Sequence, residues 1–242
     1  MVSDSGTIIL VKGVSGSGKS TRVYCFLDYL KHIGMELKPY LWVNSAGIEK
    51  EIGVYAEDLN LLVLGKYSIV NGIHKWQGLD SVTGCFINAQ GVSDFLQQAG
   101  RMKLNVLVEG AGTSVTWRLR PMELCAVCEY LNIFYFVYTF KESQWDAYSA
   151  RLVYRSGQAP RSDAMWRKRK GFESDYRETV QQAKELNAVG ANIQIDYNLY
   201  DVPSWDLGSK LLKLWGLADL CEEYVQYTQS NDYTSKNIFK VG

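Results

Sequence analysis

Apolar residues in this chain fall in short, mostly continuous runs, separated by longer stretches of helical periodicity. The runs are Thr7–Lys12 (TIILVK), Tyr40–Val43 (YLWV), Leu59–Leu64 (LNLLVL), Leu104–Val108 (LNVLV), Ile133–Tyr138 (IFYFVY) and Ala191–Ile195 (ANIQI). Continuous runs of this length predict strands covered on both faces rather than strands with one wet face. The periodic stretches Thr21–Gly34, Val92–Arg101, Met122–Leu131, Ser143–Arg155 and Glu173–Asn187 predict helices. Strands alternating with helices imply a three-layer α/β fold around a mostly parallel sheet, with right-handed crossovers. Two segments break the alternation: Lys66–Gln90 is polar with scattered glycines, and Ser156–Gly171 is short, basic and aromatic. Irregular segments of an α/β fold gather at the carboxyl ends of strands, where ligands bind. The polar tail, about residues 226–242, is expected to dock as a short extension or to stay loose. No linker composition divides residues 1–242, so a single domain is expected.

Composition narrows the class without choosing a function. An apolar fraction of 47% and a charged fraction of 21% are those of a folded globular chain. Lys plus Arg balance Asp plus Glu at 26 each, so no whole-molecule field draws DNA or an anionic membrane; any nucleic-acid contact must come from a local patch. No run suits a membrane span, the N-terminus lacks the pattern of a secretory signal, and five cysteines do not read as a disulfide framework. A reduced, cytoplasmic protein without membrane contact is the expectation. Cys125-x-x-Cys128 lies in a helical pattern, and His32 and His74 are the chain's two histidines. That favours buried thiols over a zinc site, which needs four ligands or three plus water.

The sharpest chemistry lies at the first strand–helix junction. Gly13-Val14-Ser15-Gly16-Ser17-Gly18-Lys19-Ser20, followed by Thr21, matches G-x-x-x-x-G-K-[ST], the Walker A pattern. Glycines allow successive backbone N–H groups to converge on one anion, and the following helix adds its N-terminal donors and dipole. Gly13, Ser15, Gly16, Ser17, Gly18 and Thr21 thus form the expected cradle for ATP. Lys19 is placed for the β- and γ-phosphates, and the Ser20 hydroxyl for Mg²⁺. Glu109 ends the strand LNVLVEG and is a second candidate for the metal, or for proton transfer; a merely exposed or capping carboxylate is the alternative. No N-K-x-D base-reading loop of a GTPase is present.

Taken together, GVSGSGKST, LVEG and an arginine-rich segment after the fifth strand resemble the P-loop nucleotide and nucleoside kinases, over roughly Thr7 to Asn198. The resemblance implies a five-stranded parallel core and a helical, arginine-rich lid, here about residues 143–171. Within that group, LGKY followed by KWQGLDSV is similar to phage-encoded kinases that phosphorylate 5-hydroxymethyluridine in DNA, which would act in the host cytoplasm. Common nucleoside kinases carry an acidic residue after the second strand; the corresponding LWVNSAG offers Asn44, no base.

Asp80 in HKWQGLDSVTG is the preferred base for an acceptor hydroxyl, although it also suits a helix cap before Ser81. Trp76 suits stacking on an acceptor base, or the core. Arg151 and Arg155, four apart, share one helix face and suit the charge that builds on a transferring phosphoryl group. Beyond the Gly157–Pro160 break, Arg161, Trp166 and the run RKRK suit either a DNA backbone or a solvated face. The expected activity is a Mg²⁺-dependent, ATP-using kinase acting on a hydroxyl of a nucleotide or of DNA. A kinase of a free nucleoside or other small molecule, and a regulatory or motor NTPase, are the alternatives.

Overall fold

The structure, a computed structural model, describes residues 6–13, 17–70, 73–86, 89–110, 132–139, 142–146, 149–150, 192–196 and 202–231, with scattered helical positions between 173 and 188. Nine strands are described: β1 Thr7–Gly13, β2 Leu37–Val43, β3 Glu49–Ala56, β4 Leu61–Leu64, β5 Lys66–Val70, β6 Ile73–Gln77, β7 Asn105–Glu109, β8 Asn132–Tyr138 and β9 Asn192–Asp196. The well-described helices are α1 Lys19–His32, α2 Ala89–Arg101, α3 Asp206–Leu214 and α4 Cys221–Ser230.

Seven strands form one sheet in the order β2-β3-β4-β7-β1-β8-β9. The run β4-β7-β1-β8-β9 is parallel throughout, which gives the expected mixed α/β fold a five-stranded parallel core. β3 pairs antiparallel with β4, and β2 antiparallel with β3. β2 therefore points the same way as the parallel strands, and its carboxyl end lies on the same edge of the sheet as theirs.

Strand alternation sorts the side chains into two cores. Ile8, Leu10, Leu62, Leu64, Val106 and Val108 face α2, where Phe95 and Leu96 meet them. Ile9, Val11, Leu61, Val63 and Leu107 face α1 through Val23, Phe26 and Leu30. Both faces are therefore apolar, which is why these strands read as unbroken runs. Burying one such Leu or Ile side chain contributes about 1.5–3 kcal/mol, so the two layers hold the strand ends in fixed relation.

Several expectations change. YLWV is not the second strand of the parallel core but part of an edge hairpin, with Leu41 and Val43 each 53% exposed. LNLLVL begins its strand only at Leu61, since Leu59 closes a 3₁₀ turn. The segment Lys66–Gln90 is not irregular throughout: it opens with the β5–β6 hairpin. Of the two alternatives for the tail, residues 226–230 take the docked one: they end α4, which packs with α3 against α1. The predicted helix Met122–Leu131 and nearly all of the lid, including Arg151 and Arg155, lie outside the described residues.

Candidate active site at the carboxyl edge of the parallel strands

The ends of β1, β7 and β4 bring three segments together. β1 ends at Gly13 and α1 starts at Lys19, so the glycine-rich junction spans the gap between a central strand and a helix N-terminus. Gly18 takes φ +81°, a left-handed conformation that costs a residue with a Cβ about 1–2 kcal/mol. That turn aims the first N–H groups of α1 back over the end of the sheet. Val14, Ser15 and Gly16 lie outside the described residues.

Lys19 is 4% exposed, and its Nζ donates to the Gly13 carbonyl at 2.9 Å and approaches Ser17 Oγ at 3.5 Å. A buried ammonium needs such partners, and a backbone carbonyl and a side-chain hydroxyl of the loop provide them. The next helical turn carries Arg22, also buried. Its Nη1 donates to the Ser17 carbonyl and its Nη2 to the Val202 carbonyl, each at 2.8 Å, with the guanidinium 4.4 Å from the centre of the Tyr138 ring. Arg22 thus ties the loop to β8 and to the segment leading into α3.

Glu109 ends β7 beside β1, at register partner Val11. It is only 3% exposed, and Ser20 Oγ donates to its Oε2 at 3.1 Å. Tyr67 Oη, from the start of β5, donates to the same oxygen at 3.2 Å. Burial, reinforced by the adjacent Glu109 charge, pushes the Tyr67 phenol well above the usual tyrosine range, so it acts as a neutral donor. A third element closes on the carboxylate: a Cβ at Gly78 would overlap the Glu109 carbonyl and Oε2, so only glycine permits this approach. The 3₁₀ turn Leu79–Ser81 that follows contains the Asp80 backbone. Ser81 Oγ donates to the Gly78 carbonyl at 2.8 Å and accepts from Lys66 N at 3.1 Å, locking the turn to the root of β5.

Of the residues singled out in the sequence, Gly13, Ser17, Gly18, Lys19, Ser20, Thr21 and Glu109 are described, and they gather at one edge of the sheet. Trp76 lies on β6 as the register partner of Tyr67, and Asp80 lies two residues past Gly78; the side chains of both are outside the described set. Arg161 and Trp166 are outside it entirely. Asn44 has a structural role in the β2–β3 turn: its Oδ1 accepts from Ala46 N at 3.0 Å and Ile48 N at 3.1 Å, and its Nδ2 donates to the Cys85 carbonyl. The residues that follow the second parallel strand are Gly65, Lys66 and Tyr67. Tyr67 and Arg22 were missed by sequence reasoning, Tyr67 even though it lies within LGKY; an aromatic residue just past a strand's carboxyl end was the available signal.

Ser20 and Glu109 fit a magnesium ion. Two adjacent oxygens of an octahedral magnesium shell lie about 2.9 Å apart, given metal–oxygen lengths of about 2.0–2.1 Å. The 3.1 Å separation of Ser20 Oγ and Glu109 Oε2 is close to that spacing. Magnesium at phosphate sites takes few protein ligands, so one hydroxyl and one carboxylate suffice. Groups of three or more His, Cys, Asp or Glu able to hold a metal are absent among the described residues.

The family model for 5-hmdU DNA kinase 2 matches residues 5–203, which contain every residue of this site. The chain belongs to the 5-hmdU DNA kinase 2 family. A curated relative, the 5-hmdU DNA kinase 2 of Salmonella phage ViI, is 26% identical over 201 residues, 81% of this chain and 62% of the relative. This chain thus spans less than two thirds of that relative's length. The matched region stops just before α3, so α3 and α4 lie beyond it.

Proposed function

We propose that this chain is a magnesium-dependent kinase. It transfers the γ-phosphoryl group of ATP to the hydroxyl of a 5-hydroxymethylated pyrimidine in DNA. The observation that carries the reading is the meeting of Ser20 with Glu109 at the mouth of the β1–α1 junction, in a chain of a family named for a DNA kinase.

In this reading the N-terminus of α1, the loop amides and Lys19 bind the β- and γ-phosphates. Ser20 and Glu109 hold Mg²⁺, which supplies charge neutralisation across those phosphates when bound. Glu109 already accepts two hydrogen bonds on Oε2 and is buried, so the acceptor proton passes to Asp80 on the adjoining turn. The acceptor oxygen forms a bond to the γ-phosphorus as the bond to the β–γ bridging oxygen breaks; ADP leaves. Trp76 stacks on the extruded base, because an enzyme acting on a base atom must take it out of the duplex. Arg151 and Arg155 neutralise the transferring group, while Arg161 and Trp166 hold the DNA strand.

The test is labelled ATP offered with plain DNA, with 5-hydroxymethyluridine-containing DNA and with free nucleosides. Label is expected on the modified DNA alone, and Lys19→Ala should reduce transfer by about a hundred- to a thousandfold. Label confined to free nucleosides would move the acceptor to a small molecule. Phosphate release with no labelled acceptor would return the chain to the NTPases.

A further inference from the structure

Both ends of the β5–β6 hairpin close on Glu109: Tyr67 donates to Oε2 from one end, and Gly78 packs against the carboxylate from the other. Ser20 and Tyr67 share one acceptor atom, Oε2, but differ in freedom. Ser20 sits on the first turn of α1, where its hydroxyl is needed for a metal. Tyr67 is partly buried, packs against the same apolar layer as α1, and directs its phenol at the Glu109 carboxylate.

We propose that Tyr67 is the positioning residue for Glu109: it keeps the carboxylate fixed and correctly turned when Ser20 exchanges its hydrogen bond for the metal. This inference rests on the kinase reading, and it adds a residue to that reading. When the Ser20 hydroxyl turns its lone pair to the ion, Oε2 loses one donor. Without Tyr67 the buried carboxylate would then be held less firmly in plane, or would keep Ser20 for itself. With Tyr67 in place, one oxygen remains anchored and the carboxylate plane stays aimed at the end of α1. Outer partners of a metal-binding carboxylate act in this way, and their loss typically weakens metal affinity or activity by about 10–100-fold.

The hairpin then has a second consequence. The strand partner of Tyr67 is Trp76, and the chain passes from β6 through Gly78 to Asp80. The segment carrying the proposed acceptor residues is therefore fastened at both ends to the group that holds the metal. Nucleotide loading and acceptor placement share one structural element.

The experiment measures Mn²⁺ binding by electron paramagnetic resonance, with a non-hydrolysable ATP analogue, in wild type, Tyr67→Phe, Glu109→Gln and the double variant. Tyr67→Phe should weaken Mn²⁺ binding about tenfold or more while leaving metal-free nucleotide affinity unchanged. In the Glu109→Gln background the same change should have almost no further effect, since the two residues act through one contact. Equal Mn²⁺ affinity in wild type and Tyr67→Phe would overturn the inference, as would full additivity in the cycle.

A fluorine label on the Tyr67 ring of the otherwise native chain gives a readout that does not depend on removing the phenol. Its resonance should shift when Mg²⁺ joins bound nucleotide, and an unmoved resonance also overturns the inference. A wild-type chain that binds no Mn²⁺ with the analogue would instead defeat the kinase reading, and this inference with it. The two failures are thereby distinguishable.

Discussion

At the scale of single residues, the site depends on buried polar groups that serve each other. Arg22 is the most exacting of them. Its two nitrogens hold the carbonyls of Ser17 and Val202 in a buried position, and its plane lies over Tyr138. Arg22→Met keeps the stem packing and leaves both carbonyls without this donor, which should cost about 3 kcal/mol of stability. Nucleotide affinity should fall with it, because the Ser17 end of the loop loses its tether. Arg22→Lys should rescue little, since an ammonium cannot reproduce the two-pronged geometry. Urea unfolding alongside nucleotide titration checks both effects; an unchanged midpoint in Arg22→Met would refute the tether. Residues of this kind were partly legible in the sequence. Lys19 and Ser20 were placed by spacing, because the phosphate-loop pattern ties chemistry to consecutive positions. Tyr67 and Arg22 act through contacts across 42 and 180 positions of chain, which no local pattern reports.

At the scale of elements, the parallel strands were legible because burial on both faces leaves unbroken apolar runs. β3 was not, since EKEIGVYA begins exposed and charged and becomes buried only from Ile52. α4 escaped for a related reason: its buried face is Tyr224 and Thr228, polar-tipped residues that blur an apolar stripe. The way α4 docks carries a prediction. Tyr29 and Tyr224 lie ring to ring at 4.9 Å, Tyr29 and Tyr227 at 5.5 Å, and Tyr227 Oη donates to Asp28 Oδ2 at 3.0 Å. Burial, with the Glu223 charge next, pushes Tyr29 up to about 12, and burial with Asp28 does the same for Tyr24. Folded-state values above the unfolded one mean that their contribution is complete below about pH 10. It is lost as the pH rises from there through about 12. Stability should therefore stay level with respect to these groups from pH 7 to 9 and fall above 10. Tyr29→Phe should flatten part of that fall. Thermal melts across that range decide it, and a curve that stays level past pH 11 would contradict the docking account.

At the scale of the whole molecule, the formal charge of zero means that the proposed DNA binding must come from local segments. The strongest is Arg155–Lys170, where six basic residues stand against Asp163 alone, with Trp166 among them. The carboxyl edge of the sheet and this segment divide the proposed work: one holds the triphosphate, the other the polymer that brings the acceptor. Replacing Arg167, Lys168, Arg169 and Lys170 by glutamine should separate the two. If these four residues meet phosphates, DNA affinity should fall and its dependence on salt should flatten. The log–log slope should change by about 0.9 for each duplex phosphate no longer neutralised, or about 0.7 for each single-strand phosphate. ATP affinity should stay the same, because the β1–α1 junction and Glu109, which hold the triphosphate in the proposed reading, are built from other segments. Phosphorylation of DNA should drop at low DNA concentration and recover as DNA is raised, a change in KM more than in kcat. If ATP affinity fell in parallel, RKRK would belong with Arg151 and Arg155 over the triphosphate. If neither changed, the run would be a solvated face, and the polymer would have to be held elsewhere.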